Sequence, residues 1–375
     1  MKRRYLLLCL MCVLFTQSSF SIDSNNDDLN IQTTIIARDL GVPWGMSLLP
    51  NNTMLISQRN AKLSLLDLAT DELTNITGLP EIKVAGQGGL FDVALAPDYA
   101  NSAWIFFSYN KDINGEGATT LARAKLVDNS LIDWQDLLIS QSRSNKKVHF
   151  GGRITFDDDG HLFLSIGDRG TRSNAQDLNN HAGSILRLNI DGTIPKDNPF
   201  IDDKKGLGEI WSYGHRNPQG LFFNNQTQQL WAIEHGPRGG DEINLITAGK
   251  NYGWPVISYG KEYYAPIPVG KGKKRDGMEQ PVKYYIPSIA PSSLIQYSGK
   301  AFPDWKDDLF AGALVLQHLN KVSLDNNNQA INEQRFFESI GRIRNVIESP
   351  EGWLYIATDN GQIIRIQPKL TIDSE

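Results

Sequence analysis

Short apolar runs of four to six residues recur along the chain and dominate its hydrophobic pattern. They are rich in Ile, Leu, Val, Phe and Tyr, and Gly, Pro, Asn or Asp residues bound them. Runs of this length with these boundaries are typical of β-strands, whereas apolar residues at helical spacing are nearly absent. The pattern predicts an all-β protein in which 33 glycines and 17 prolines supply many of the turns.

A unit of three strands joined by two turns repeats along the chain, often with a Pro-Asp-Gly or Asn-Asn turn. Six copies can be recognised, of which the first, third and sixth are the clearest: 45–68, 92–127, 153–188, 217–246, 292–325 and 344–366. One small sheet cannot bury both of its faces, but six sheets packed radially can. We therefore predict a six-bladed β-propeller. A β-sandwich is the alternative, and it explains the strands but not the repeat.

The N-terminus has the three-part pattern of a secretory signal peptide. Three cations at positions 2–4 precede an apolar run at 6–15, and small residues follow at Ser19 and Ser21. The run is shorter than the roughly 20 residues of a membrane-spanning helix. We predict a signal peptide over 1–21, with an uncleaved anchor as the alternative, and a single propeller domain over 22–375. This predicts a periplasmic or secreted protein without a membrane span.

Composition limits the chemistry that remains open. Both cysteines, Cys9 and Cys12, lie in the predicted signal peptide, so the mature chain has no disulfide, thiolate nucleophile or cysteine metal site. Without the three leader cations, the net charge of −5 becomes −8. An acidic surface of this kind repels nucleic acid and anionic lipid. The basic run at 271–275 is interpreted as a solvated loop.

His149 is the first candidate catalytic residue. It stands before a glycine pair at 151–152, where backbone can approach a ligand closely, and an imidazole is a natural proton acceptor near neutral pH. On spacing alone, a turn histidine bonded to backbone is the better explanation. In the segment 214–220, an Arg–Asn pair formed by Arg216 and Asn217 could hold a planar anionic group, or Arg216 could serve a structural turn.

Three further segments carry polar groups at the openings of successive repeats. The loop at 234–242 exposes carbonyl and carboxylate oxygens that suit a hard cation such as calcium, although an ordinary charged turn is the alternative. The glycine-rich loop at 86–89 lacks a phosphate-loop lysine, so we interpret it as bringing Gln87 to the channel mouth. Arg342 and Arg344 are two residues apart, face the same side of a strand and favour an anionic ligand, or are exposed strand charges.

These segments are ordered along the chain in a way that resembles the soluble aldose sugar dehydrogenases, relatives of soluble quinoprotein glucose dehydrogenase. The matching motifs are Gly-Gln-Gly-Gly-Leu, His-x-Gly-Gly-Arg with Ile-Gly-Asp, Gly-His-Arg-Asn-Pro-Gln-Gly, Glu-His-Gly-Pro-Arg-Gly-Gly-Asp-Glu-Ile-Asn, Asn-Tyr-Gly-Trp-Pro, Ala-Pro-Ser-Ser and Gly-Arg-Ile-Arg. The resemblance spans about residues 42–368. It implies a six-bladed propeller that uses pyrroloquinoline quinone (PQQ) and calcium.

The resemblance also implies roles for individual residues. His149 would be the general base that takes the proton of the sugar C1 hydroxyl, while hydride passes to the quinone, and Arg216 would stabilise negative charge on the quinone oxygen. The implied cofactor or substrate contacts are Gln87, Arg216, Asn217, Tyr263, Arg342 and Arg344. The carbonyls of Gly236 and Pro237 would hold a catalytic calcium. Glu242 and the Tyr252 carbonyl resemble a second, structural calcium site.

The chain departs from the family pattern at Val315, where better-known members carry a basic residue that contacts the cofactor. Gln317, His318 and Lys321 are candidates to compensate. The expected partners are an aldose sugar and an unidentified electron acceptor, for a monomer or homodimer. Two other functions stay open: a propeller that only binds glycan or protein, and a metal-dependent lactone hydrolase, which would need several inward-facing acids around one cation.

Overall fold

The computed structural model of the protein describes residues 22–23, 30–202, 204 and 206–369, so the predicted signal peptide lies outside the described residues. The strands form six sheets, which we call blades 1 to 6 in chain order. From the inside outward, their strands are Pro43–Leu49, Thr53–Gln58, Lys62–Asp67 and Leu73–Ile76 in blade 1; Leu90–Leu95, Ile105–Ile113, Glu116–Val127 and Ser130–Ile139 in blade 2; Ile154–Phe156, His161–Ile166, Ser184–Asn189 and Ile210–Tyr213 in blade 3; Pro218–Asn224, Gln229–Glu234, Asp241–Ile246 and Lys283–Tyr285 in blade 4; Ile295–Gln296, Leu309–Gly312, Leu319–Leu324, Ala330–Phe336 and Ile22–Asp23 in blade 5; and Ile343–Glu348, Leu354–Thr358, Gln362–Pro368 and Ile31–Ala37 in blade 6.

Helices contribute little to the described structure. One α-helical turn spans Tyr99–Ser102, and two 3₁₀ turns span Arg172–Gln176 and Pro303–Trp305. Within the described ranges, no helix has the length and apolarity needed to cross a bilayer.

The six blades close into a ring. The innermost strand of each blade contacts the innermost strand of the next, and blade 6 contacts blade 1. Segments near the two ends of the chain meet in blade 6. Ile31–Ala37 pairs antiparallel with Gln362–Pro368, so a strand from the start of the chain completes the last blade and closes the ring. The predicted all-β, six-bladed propeller is confirmed, and the sandwich alternative is wrong.

The predicted repeat of three strands was incomplete, because each blade has a fourth strand. In blade 4 this strand is Lys283–Tyr285, which lies inside the long insert at 249–291. The outer strands are partly exposed, so they lack the continuous apolar run that marks the second strands. In blade 6 the fourth strand comes from the other end of the chain, where a repeat search cannot find it.

The hydrophobic core is divided among the six interfaces between neighbouring blades. Leu55 of blade 1 packs with Phe107 of blade 2, for example, and Trp231 of blade 4 packs with Leu309 of blade 5. The second strand of a blade is buried along its length, as in Thr53–Gln58. Both faces of a blade are covered by neighbours, which explains continuous apolar runs in place of an alternating pattern.

Strand direction places the polar segments together. The chain order within each blade is antiparallel, so the segment before the first strand and the loop between the second and third strands lie at the same end of the ring. We call this end the upper face. The segments around His149, 214–217 and 341–342 precede first strands, and those around Asp168 and His235 follow second strands. Residues distant in sequence therefore meet at the axis of the ring.

Candidate functional site

A cavity of about 300 Å³ opens at the upper face on the axis of the ring. Residues from the upper-face loops and strand ends of all six blades line it. They are Trp44, Arg59, Gln87, Phe91, Phe150, Gly151, Asn217, Gln219, His235, Ala290, Leu314, Arg342, Arg344 and Asp359. Four of these, Gln87, Asn217, Arg342 and Arg344, were predicted as ligand contacts. The structure brings these four together, although they lie at the starts of three different blades, blades 2, 4 and 6.

His149 lies beside this cavity and is held by a buried carboxylate. Its Nδ1 is 2.6 Å from Asp168 Oδ1, and Asp168 is 1% exposed. An ionised carboxylate only accepts hydrogen bonds, so Nδ1 carries the proton and donates it. The other ring nitrogen, Nε2, is left as an acceptor. A neutral imidazole oriented in this way is arranged as a general base.

Asp168 is an essential part of this arrangement that the sequence interpretation missed. Its Oδ1 also accepts the Gly170 N–H at 2.6 Å, and its Oδ2 accepts the indole N–H of Trp254 at 2.8 Å. Burial favours the neutral acid, but the hydrogen bond and charge of His149, the Trp254 bond and the charge of Arg216 outweigh it, and the pKa of Asp168 lies below its ordinary value. The carboxylate is therefore ionised at neutral pH. Its only sequence signal was the acid in the Ile-Gly-Asp motif.

The backbone at His149 has a positive φ of 54°, which is uncommon for a residue other than glycine. The His149 N–H donates to Gln87 Oε1 at 2.8 Å, which fixes the loop from the side of blade 2. On the other side Gly167 lies so close that a Cβ there would be 2.4 Å from the His149 carbonyl oxygen. A strained conformation persists only where the surroundings fix it, and such residues cluster at functional sites.

Arg169 anchors the loop that carries His149. This fully buried guanidinium donates to the backbone carbonyls of Gly117, Ser142, Lys146 and Val148 at 2.8–3.2 Å. Burial lowers the pKa of Arg169 to about 10, so it stays charged at neutral pH. One side chain thus satisfies three carbonyls of the segment that ends at His149 and ties that segment to Gly117 in blade 2. No pattern in the sequence distinguishes this arginine from the others.

Arg216 lies next to Trp254, the tryptophan that donates to Asp168. Its guanidinium is 5.3 Å from the Trp254 ring centre and donates to the His235 carbonyl at 3.2 Å. It also donates to the Tyr263 hydroxyl at a longer 3.4 Å. Asn217 follows it, and the Asn217 side-chain oxygen accepts the Gly151 N–H at 3.2 Å. The predicted Arg–Asn pair therefore adjoins the His149 loop.

Arg342 and Arg344 do face the same side, as predicted, but both already contact a carboxylate of their own chain. Asp359 accepts from Arg342 Nε at 3.0 Å and from Arg344 Nε and Nη2 at 2.8 Å. Burial opposes ionisation of Asp359, yet the two arginines outweigh it and lower its pKa. Asp359 was missed because it lies in the loop after a second strand, 15 residues from Arg344.

The cavity wall carries more positive than negative charge. Arg59, which the sequence interpretation also missed, lines the cavity near the Arg342–Arg344–Asp359 group. Burial and the charge of Arg344 lower the pKa of Arg59, against the opposing effect of Asp359. Three guanidinium groups thus share one carboxylate. A site with this excess of positive charge is suited to a ligand with several negative groups.

The predicted cation loop lies beside the main cavity and contributes His235 to its wall. Gly236 is fixed by its N–H, which donates to Asp241 Oδ1 at 2.8 Å. His235 Nε2 donates to the Pro291 carbonyl at 2.7 Å, and its enclosure together with the charge of Arg216 lowers the pKa of His235 to about 3. His235 is therefore neutral at physiological pH. Among the described residues, no donor is bonded to the Gly236 or Pro237 carbonyl oxygen.

A much smaller cavity of about 10 Å³ lies behind this loop. Glu242, Glu234 and Tyr252 line it. Burial and the negative charge of Glu234 raise the pKa of Glu242 well above its ordinary value, and the hydrogen bond from Asn244 Nδ2 is long, at 3.4 Å. The described residues contain no group of three or more His, Cys, Asp or Glu side chains that could hold a metal. Any cation here needs backbone carbonyl ligands as well.

A shallower, mostly apolar hollow of about 490 Å³ adjoins the main cavity, and we call it the shelf. It shares His235 and Ala290 with the cavity and includes Tyr263 and Val315. Val315 is 45% exposed. Lys321 was considered as a replacement for the basic residue that is missing at Val315. This expectation is wrong, because Lys321 is buried and its Nζ is 2.7 Å from Asp308 Oδ2.

The other two candidates do not supply a charge at the cavity either. His318 is fully buried, with neither ring nitrogen bonded within the described structure, and burial lowers its pKa. Gln317 is exposed and uncharged. The missing positive charge is therefore not replaced from this loop, whereas Arg59 contributes one from blade 1.

Comparisons with known proteins agree with this geometry. The family model described as Glucose / Sorbosone dehydrogenase matches residues 40–365. The aldose sugar dehydrogenase of Escherichia coli strain K12 is 38% identical over 347 residues, which cover 90% of this chain and 93% of the relative. The crystal structure of the apo-form of the soluble aldose sugar dehydrogenase from Escherichia coli superposes with a TM-score of 0.84 at 36% identity, covering 90% of this chain and 99% of that one.

A more distant structure extends the comparison. The PQQ-bound aldose sugar dehydrogenase of Streptomyces coelicolor has a TM-score of 0.74 at 26% identity, covering 90% of this chain and 98% of that one. The fold, the cationic axial cavity and these matches define a propeller oxidoreductase. The chain belongs to the glucose/sorbosone dehydrogenase family, within the soluble PQQ-dependent sugar dehydrogenases.

Proposed function

We propose that the protein oxidises aldose sugars at C1 to the corresponding lactones, with PQQ as cofactor and calcium as Lewis acid, in the periplasm or outside the cell. The observation that carries the proposal is the His149–Asp168 pair at 2.6 Å, beside a cavity lined by an excess of guanidinium groups. A base alone would serve many reactions. A base next to a polyanion-binding wall favours a reaction with a negatively charged cofactor.

The chain supplies the proton transfer. His149 Nε2 takes the proton of the sugar C1 hydroxyl, because Nδ1 is already occupied by its donated hydrogen bond to Asp168. As the imidazole becomes positive, the ionised Asp168 carboxylate stabilises it without moving. Trp254 and Gly170 hold that carboxylate, so the ring keeps one orientation through the step. General-base assistance of this kind contributes about 10²–10⁴-fold.

The donor set of the cavity fits PQQ, a planar tricarboxylate. Arg59, Arg342 and Arg344 share only Asp359, so positive charge remains for ligand carboxylates. Arg216 and Asn217 would contact the cofactor near the base. When bound, PQQ supplies the hydride acceptor for C1. Arg216 stabilises negative charge there, and its position over Trp254 keeps the guanidinium from turning away. The PQQ of the Streptomyces coelicolor relative supports this assignment.

The calcium assignments rest on oxygen donors without partners. Gly236 and Pro237 line the shelf beside the main cavity, and hard cations prefer carbonyl oxygens such as theirs. They would hold the calcium next to the cofactor, where it acts as Lewis acid. Glu242 and the Tyr252 carbonyl would hold a second, structural calcium. Without a cation, burial and the charge of Glu234 disfavour the ionised form of Glu242, and the pKa of Glu242 is raised for this reason. A bound calcium would stabilise the ionised carboxylate.

The lactone hydrolase alternative required several acids directed at one cation. Asp359 is the acid among the residues that line the main cavity, and it is bonded to two arginines. This does not favour metal-activated hydrolysis over oxidation. A site that only binds glycan would not need the strained, carboxylate-held His149.

Reconstitution tests the proposal. Purified protein incubated with PQQ and calcium should oxidise aldoses with a neutral redox dye as acceptor, and should need both additions. His149→Ala should abolish turnover but leave PQQ binding, followed by absorbance titration, nearly intact. His161→Ala is the matched control, since His161 contacts Asp157 at the other end of blade 3 and should retain turnover. Absence of dye-linked aldose oxidation by the loaded wild-type protein would overturn the proposal.

A further inference from the structure

Charge is distributed unevenly between the long insert and the rest of the chain. The segment 249–291 contains seven Lys and Arg residues against three Asp and Glu residues, a balance of +4. The whole chain has a net charge of −5, so the remainder carries −9. An acidic protein with one basic segment has a strongly directional electric field. The interpretation of the run at 271–275 as an ordinary solvated loop does not account for this segregation.

Most of the cations in the insert are not neutralised by neighbours. Lys250 lies 3.3 Å from Glu279, and Lys283 lies 2.7 Å from Glu333. Five others are exposed and form no ion pair within the described part of the chain: Lys261, Lys271, Lys273, Lys274 and Arg275. Glu262, an acid of the insert, accepts a bidentate pair of hydrogen bonds from Arg172 Nη1 and Nη2, at 2.6 and 2.7 Å. The remaining acid of the insert is Asp276, so five cations against one acid leave an uncompensated charge of about +4, equal to the balance from the residue count.

These cations adjoin the opening of the site. Lys261 and Arg238 line the shelf, and Lys273 Nζ is 5.6 Å from the ring centre of Tyr259, which also lines it. The insert and the loops beside it also expose large apolar side chains: Tyr263, Tyr264, Ile267, Ile286, Val315 and Leu316. Tyr264 is 82% exposed and Ile286 is 62% exposed. An apolar centre with a charged rim is the usual anatomy of a protein-binding surface.

The proposed reaction needs a partner at this place. Conversion of an aldose to its lactone breaks the C1–H and O–H bonds and releases two electrons and two protons. The protons can leave to solvent, but the electrons must pass to an oxidant that approaches the opening of the cavity. Two molecules of a one-electron carrier are reduced in each turnover. Such carriers bind briefly, and electrostatic attraction rather than a large interface sets the rate of their encounter.

We propose that the basic rim of the shelf, formed by Arg238, Lys261 and the run at 271–275, is the docking surface for an acidic one-electron carrier protein. This inference rests on the proposed sugar oxidation. The rim attracts the acidic surface of the carrier, while the rest of this acidic protein repels it. The exposed side chains of Tyr264 and Ile267, which lie in the insert outside the shelf lining, then hold the partner at the opening of the site.

Charge reversal tests the docking surface without touching the cavity. The triple variant Lys273→Glu, Lys274→Glu, Arg275→Glu is compared with wild type, both loaded with PQQ and calcium. Three acceptors are used: a neutral dye, plastocyanin as an acidic one-electron protein, and mitochondrial cytochrome c as a basic one. The matched control reverses three exposed lysines on loops at the opposite end of the ring, Lys196, Lys300 and Lys306, by the same total charge.

The expected result is a specific loss. At low ionic strength the variant should lose about tenfold or more in kcat/KM for plastocyanin, gain for cytochrome c and keep its dye turnover. The loss should shrink in about 0.5 M salt, because screening removes the attraction. Equal kcat/KM for plastocyanin in wild type and variant, or an equal loss in the control, would overturn the docking surface while dye turnover still supports sugar oxidation. No dye turnover in wild type would instead overturn the proposed function.

Discussion

Replacement of Asp168 by Asn should inactivate the protein while leaving its fold and its cofactor site in place. Asp168 accepts three hydrogen bonds: from His149 Nδ1 and Gly170 N at Oδ1, both 2.6 Å, and from Trp254 Nε1 at Oδ2, 2.8 Å. An asparagine has one acceptor oxygen and one donor NH₂ group. It cannot accept all three bonds in either of its orientations.

The two orientations fail for different reasons. If the NH₂ group replaces Oδ2, it meets the Trp254 indole N–H, donor against donor, and a buried unsatisfied donor costs about 1–3 kcal/mol. If it replaces Oδ1, it donates to His149 Nδ1, so the proton moves to Nε2 and the base is lost. Both orientations remove the charge that stabilises the imidazolium. We expect kcat to fall by about 10²–10⁴-fold, which is about 2.7–5.4 kcal/mol of activation free energy.

The assay is the initial rate of dye reduction at saturating sugar, PQQ and calcium, with PQQ affinity measured separately by absorbance titration. Asp157→Asn is the matched control, because Asp157 makes the same kind of contact to His161, at 2.8 Å and away from the cavity. The control should lose stability but keep kcat. A kcat for Asp168→Asn within about threefold of wild type, or an equal loss in Asp157→Asn, would refute the assignment of His149 as base.

Three further predictions concern stability and metal binding. Arg169→Gln should leave several buried carbonyls without a donor and lower the unfolding free energy by about 2–4 kcal/mol, measured by urea denaturation, with partial rescue by Arg169→Lys; an unchanged midpoint would contradict this. Asp359→Asn should lower the unfolding free energy at pH 7, and the difference from wild type should shrink as pH falls from the ordinary aspartate pKa of about 3.9 through the depressed pKa of Asp359, because the carboxylate stabilises the fold only while ionised; a difference that stays constant as the pH is lowered would count against it. Calcium should raise Tm in calorimetry, and Glu242→Gln should remove most of that increase; an equal increase in the variant would exclude Glu242 as a ligand.

The sequence predicts the architecture well because a repeated strand unit can be recognised from the order of residues along the chain. Apolar runs mark the strands that are buried on both faces, such as Thr53–Gln58, and their recurrence gives the number of blades. The fourth strands were not predicted because they are partly exposed and lack a continuous apolar run. Lys283–Tyr285, inside the long insert, has no pattern that distinguishes it from a loop.

The site is less accessible from sequence, because its partners come from different loops of each blade. Residues just before first strands, such as His149, Asn217 and Arg342, lie within recognisable motifs. Asp359 and Arg59 follow second strands, and only the antiparallel order within the blades places them at the same end of the ring. Their roles depend on distances across the axis, which spacing along the chain does not encode.

The wrong expectation for Lys321 has the same origin. Lys321 lies only six residues after Val315, yet it stands within the strand Leu319–Leu324 and pairs with Asp308. Proximity in sequence to the missing cation did not place it near the cavity. Arg59, far away in sequence, supplies positive charge there instead.

Anaerobic reduction of the loaded protein by a sugar tests the central claim most directly. With PQQ and calcium bound and no acceptor present, one equivalent of an aldose should convert the absorbance of the bound oxidised cofactor to that of its reduced form in a single turnover, with release of lactone. Deuterium at C1 should slow this change several-fold, and His149→Ala should prevent it. No spectral change in the wild-type protein with any aldose, despite saturable PQQ binding, would contradict the account.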